Sequence, residues 1–142
     1  MASYLIHSMV VVLILGGGLF GCARPTQADD PPIELVFQNI ENTDETVVLR
    51  VISVEEKGVA GVYTTWLVSG DVEETIKGNL SPGSRVNYRR TLEGSGPPAR
   101  VGARYLASFE RNGDELRLPD VAYHFEFTSS LEKEVKRYRP SK

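Results

Sequence analysis

The chain has 142 residues, 41% of them hydrophobic and 25% charged, with a formal net charge of −3. That is one domain's worth of ordinary globular sequence. The balance argues against a dedicated nucleic-acid binder, which carries a strongly basic face, and a single cysteine excludes an internal disulfide.

The charge is unevenly spread. Residues 1–21 contain no Asp, Glu, Lys or Arg. Residues 22–78 hold 11 acidic and 4 basic side chains, a net of −7, and residues 79–142 hold 8 acidic and 12 basic, a net of +4. Much of the basic excess lies in 133–142. Such a tail suits a solvated helix face, or anionic headgroups and cell-wall polymers.

Near the start, Met9-Val10-Val11-Val12-Leu13-Ile14-Leu15 is an apolar run followed by three glycines and Leu19-Phe20-Gly21-Cys22. A membrane span needs roughly 20 apolar residues. The run is shorter and fits the hydrophobic part of a secretory signal. Leu19-Phe20-Gly21-Cys22 resembles the lipobox of bacterial lipoproteins. The peptidase there needs a small residue beside the cut, and the cysteine thiol takes a diacylglycerol. The resemblance implies a signal peptide over 1–21, lipidation at Cys22, and attachment to a membrane in the cell envelope. Ala23, rather than Asp, follows the cysteine, which implies the outer membrane if the cell is Gram-negative. The alternative is a buried helix or an uncleaved anchor with an incidental cysteine.

Residues 22–32 include three prolines and little to bury, and read as a lipidated tether. Residues 33–142 then form the domain. Ile33, Val36, Phe37 and Ile40 have helical spacing, with Asp30 as the expected cap. Residues 46–55 are rich in β-branched side chains and read as a strand. Residues 62–76 alternate apolar and polar at period two, and Gly70 in their middle predicts a bulge or bend. Further strands are expected over 85–92, 104–109 and 115–118, the last two joined by a hairpin turn at Arg111-Asn112-Gly113-Asp114. Val121, Tyr123, Phe125 and Phe127 alternate as another strand. Ser129-Ser130-Leu131-Glu132 has the pattern of a capping box ahead of a helix over 131–138. The expected fold is mainly β: a small five-stranded OB-like barrel flanked by short N- and C-terminal helices. With a small core and no disulfide, its stability should be modest.

Four segments carry a wider resemblance: V-V-L-R-V (47–51), Y-T-T-W-L-V (63–68), T-I-K-G-N-L-S-P-G-S-R-V (75–86) and V-G-A-R-Y-L (101–106). In this order they are similar to the tissue-inhibitor-of-metalloproteinase and netrin-like modules, over residues 46–109. The resemblance implies an OB-type five-stranded barrel. It does not carry that family's zinc-chelating amino terminus, because Cys22 would be acylated and lies a tether away from the barrel.

Candidates for chemistry are few. His124 is the one histidine after residue 22, and alternation with Tyr123 and Phe125 places it facing outward. Gly94-Ser95-Gly96 looks like a plain loop beside Pro97 and Pro98. Asp71, Glu73 and Glu74 could approach a cation, but alternation sets Glu74 on the other face. No catalytic residue, metal site or cofactor is expected. Arg89, Arg90, Arg100 and Arg104, with Tyr88 and Tyr105 close in sequence, are basic and aromatic residues interleaved. Arg89, Arg90 and Arg104 are the expected contact surface, balanced against simple pairing with the acidic first half. The function read from the sequence is a non-enzymatic envelope lipoprotein whose barrel binds a protein partner or an envelope glycan or polymer, with no nucleic-acid role. The alternatives are an inhibitor of a secreted hydrolase and an enzyme, which would need a deep pocket around His124.

Overall fold

The computed structural model describes residues 30–138. The signal segment, Cys22, most of the tether and the last four residues lie outside the described residues. Among those described, no helix is long and apolar enough to cross a membrane.

The chain opens with helix α1 (Ile33–Asn42) and closes with α2 (Ser129–Arg137). Between them run β1 (Glu45–Ala60), β2 (Tyr63–Lys77), β3 (Arg85–Glu93), β4 (Arg104–Asn112), β5 (Glu115–Arg117) and β6 (His124–Glu126). All neighbouring strands are antiparallel, in the order β3-β2-β1-β4-β5, and β6 also pairs with β4. The sheet does not close into a hydrogen-bonded barrel, because β3 and β5 end the path. It does curl. Val86 and Tyr88 of β3 share a core with Val47, Leu49 and Val51 of β1, Tyr105 and Phe109 of β4, and Leu116 of β5.

A second cluster lies on the other face. There Val36 and Ile40 of α1 and Leu131 and Val135 of α2 pack on Val48 and Leu106. The centre of the sheet is therefore covered on both sides. This is why β1 begins with an unbroken buried run, where a one-sided strand would alternate. Beyond Val51 the helices no longer cover β1, and most of residues 52–60 are exposed.

The long β1–β2 pair is not regular. Ile76 and Glu73 are extra residues on β2, and Ile52 and Lys57 are extra residues on β1. Each is a bulge that strengthens the twist. Gly70 is not itself bulged; the extra residue nearby is Ile52 on the partner strand. A Cβ at Gly70 would stand 2.8 Å from Leu49 Cδ1 and 3.2 Å from the Arg50 carbonyl oxygen, so a larger residue there has to displace the buried Leu49 side chain.

Other expectations shift locally. The capping residue of α1 is Pro32, with no side-chain cap, and Asp30 instead accepts a hydrogen bond from Thr128 Oγ1. The cap of α2 is Thr128, whose hydroxyl accepts from Leu131 N, so the capping frame starts one residue before Ser129. The expected strand over 121–127 is instead a 3-10 turn, Val121–Tyr123, followed by the three residues of β6. The Asp120 carboxylate accepts from Ala122 N and holds that turn, which ends the alternation early.

The Lys77-Gly78 connection joins helix to sheet. Lys77 Nζ donates to the carbonyls of Ile40, Glu41 and Thr43 at the end of α1, where a cation is favoured. Gly78, at φ +99°, lets the Glu45 carboxylate reach the next two backbone N–H groups.

Candidate functional site

His124 is buried, at 6% exposed, which overturns the expectation that it faces outward. β6 alternates in the opposite sense: His124 points into the curl of the sheet and Phe125 toward the helices. Arg90 Nη1 donates to His124 Nδ1 at 2.9 Å, and His124 Nε2 lies 2.7 Å from the Tyr88 hydroxyl. A guanidinium has no acceptor, so Nδ1 is the unprotonated nitrogen. Nε2 then carries the hydrogen and donates it to Tyr88. Tyr105 stacks on the imidazole with centroids 4.5 Å apart. Burial, with the Arg90 charge beside it, holds His124 well below the usual imidazole range, so the ring is neutral. Burial also pushes the Tyr88 hydroxyl up.

Arg90 is likewise buried, at 9% exposed. Its remaining bonds go to the carbonyls of Pro98 and Val121 at 2.9 and 3.3 Å. The guanidinium thus crosses from β3 to the segment after β5 and spans the seam that no ladder closes. All its partners are neutral, and burial lowers its pKa. A buried charge without a counter-charge is costly, so such a residue invites an anion.

The three arginines expected to form one contact surface are not all brought together. Arg89 is exposed on the opposite side of β3 from Arg90. Arg104 pairs with Glu73 at 2.7 Å and Glu132 at 3.4 Å and lies 5.0 Å over the Phe127 ring. It is committed internally, as the acidic first half of the chain allows. Asp71 and Glu73 are also committed, to Arg85 and to Arg50 and Arg104. Among the described residues, no three His, Cys, Asp or Glu side chains are grouped to hold a metal.

Arg89 and Arg90 do meet along one groove, at the open seam. It has a volume of about 470 Å³, with Arg89, Arg90 and Thr91 on one wall and Glu115, Arg117 and Asp120 on the other. Arg117 is the member that the sequence reading missed; it lies in the short β5, without aromatic neighbours to mark it. The charge pattern here differs from the rest of the molecule. Arg50, Arg85, Arg100, Arg104, Arg111 and Arg137 each pair with a carboxylate. The other arginines among the described residues are Arg89, Arg90 and Arg117, and these three without an ion pair all line the groove. Glu115 and Asp120 leave a formal surplus of one positive charge.

Compared with known proteins, the chain matches no protein-family model and no curated protein.

Proposed function

We propose that the chain is a membrane-anchored envelope lipoprotein whose β domain is a non-enzymatic module binding a protein or an envelope polymer at the seam groove. The observation that carries the binding role is the gathering of Arg89, Arg90 and Arg117, without ion-pair partners, along one cavity. The role of His124 supports a module without catalysis. Its lone pair is taken by Arg90 and its N–H by Tyr88, so it acts as a strut between β3 and β6. A general base needs that lone pair within reach of a substrate.

The anchor rests on Leu19-Phe20-Gly21-Cys22, with lipid on Cys22 and the cell envelope as the site, on the outer membrane if the cell is Gram-negative. Two or more acyl chains would hold the protein firmly. The OB-like reading treats the sheet as a partly open barrel. It is supported by one core shared between β3 and β5, and by the Tyr88 and Arg90 bonds to His124 across the seam.

The anchor is tested by growing cells on labelled palmitate. Label should enter the wild type and be absent from Cys22→Ser; an unlabelled wild type, or a labelled variant, refutes it. The groove is tested by cross-linking in intact envelopes, wild type against Arg89→Glu/Arg117→Glu. The same partners at the same yield in both would remove the groove from the proposal.

A further inference from the structure

The groove runs along a strand edge, and the register of that strand shows which backbone groups face it. Gly94 N donates to Val62 O, and Val72 N donates to Ser84 O. These bonds share one frame with the β2–β3 pairing, in which Leu92 faces Thr64 and Arg90 faces Trp66. In an antiparallel pair, hydrogen-bonded and non-bonded positions alternate. The backbone groups of Leu92, Arg90 and Tyr88 therefore turn toward β2. Those of Arg89 and Thr91 turn the other way, to the edge that has no hydrogen-bonded strand among the described residues and faces β5 across the groove. An edge of this kind is a template for one more strand.

Resting on the binding role proposed above, we infer that the groove takes an extended polypeptide carrying a single carboxylate, which adds to the free edge of β3 beside Arg89 and Thr91. The main chain of the ligand would exchange hydrogen bonds with the outward N–H and C=O groups of those two residues, the mode known as β-augmentation. Its carboxylate would meet the Arg89 and Arg117 guanidinium groups, whose planar forks match that anion. The charge balance selects one acid. Arg89, Arg90 and Arg117 face Glu115 and Asp120, so a single negative charge neutralises the groove and a second is repelled. The volume of about 470 Å³ suits a short segment rather than a folded surface.

The test is a random dodecapeptide display library panned on the full-length protein in detergent, followed by titration of the enriched peptides. Peptides with one Asp or Glu should be enriched, and replacing that acid by its amide should weaken binding at least about tenfold, as should Arg89→Gln/Arg117→Gln. Both arginines are at the surface, and Arg90, bonded to His124, is left intact. Thr91→Pro separates strand addition from simple charge attraction. Its N–H faces the open edge, so proline spares the β2 ladder but removes a donor the ligand needs. Thr91→Val controls for the hydroxyl, which lies 2.9 Å from Thr65 Oγ1. Loss of binding in Thr91→Pro but not in Thr91→Val supports the inference. Arginine-dependent binding of acidic peptides that ignores Thr91→Pro overturns strand addition and leaves the binding role standing. Enrichment without an acid, or binding confined to phosphatidylglycerol vesicles, overturns the choice of ligand. Failure to bind either probe, peptides or vesicles, removes the groove as a site and the binding role with it.

Discussion

Replacing Glu45 by alanine should cost the domain about 3 kcal/mol. The carboxylate is 1% exposed at the start of β1. One oxygen accepts from Asn79 N at 2.7 Å and Leu80 N at 3.2 Å. The other accepts from Arg111 Nη2 at 2.6 Å and Nε at 3.2 Å. Truncation leaves two backbone donors unmet, at about 1 kcal/mol each when partly buried. It also removes an ion pair. A fully buried pair broken from one side costs about 3–5 kcal/mol, but the Arg111 side chain is 37% exposed and can turn to water, so about 1 kcal/mol is the appropriate share. At roughly 4 °C per kcal/mol for a domain of this size, the melting temperature should fall by about 12 °C. Burial raises the Glu45 pKa, while Arg111 and the two N–H groups lower it, and the net shift is downward. A depressed carboxylate contributes stability above its unfolded pKa of about 4.3 and loses it as pH falls through the folded value. The difference between wild type and variant should therefore be smaller at pH about 3 than at pH about 7. The assay is urea unfolding at both pH values. A loss below about 1 kcal/mol at neutral pH, or a difference that does not shrink in acid, would refute the assignment of Glu45 as a hydrogen-bonded buried anion.

His124 sets a different pH window. Its folded pKa is depressed and its unfolded value is about 6.5, so stability is fully present above that value and declines as pH falls below it. Between pH about 7 and pH about 5.5 the wild type should lose stability, and His124→Phe should not show that slope; equal slopes in urea titrations would mean the imidazole is not held neutral. Gly78→Ala should cost about 2–4 kcal/mol, because its Cβ would stand 2.0 Å from Glu45 Oε2 at a φ of +99°. Gly83→Ala, at φ +84° with nothing within 4 Å, should cost only about 1 kcal/mol, and comparable losses for the two would place the effect in backbone strain alone.

Much of the secondary structure was legible along the chain. Period-two alternation in residues 62–76 marked the face that buries Thr64, Trp66, Val68 and Val72, because one side of β2 faces the core at that end. Helical spacing located α1 and the capping-box pattern located α2, and the expected hairpin turn forms at Gly113, although β4 runs to Asn112, three residues past the expected strand end. The segment 121–127 was misread because alternation is a local signal, while the turn there is made by one Asp120 hydrogen bond. The orientation of His124 failed for a related reason. Alternation fixes which residues share a face, but not which face turns inward, and on β6 the two sides meet different cores.

The groove lies further from the sequence. Arg89 and Arg90 were visible as a pair, but a charge is free or committed only according to the carboxylates that folding brings near it. Glu73 lies 31 positions from Arg104 and claims it, whereas nothing of opposite sign claims Arg117. By itself the sequence determined the strand-forming runs, the helical faces and the Leu19-Phe20-Gly21-Cys22 motif, all properties of neighbouring residues. Only the tertiary structure decided that the sheet curls without closing, that Arg90 and His124 lie in its seam, and which arginines are left over. Those outcomes depend on strand order and on contacts between distant positions, and no local period encodes either.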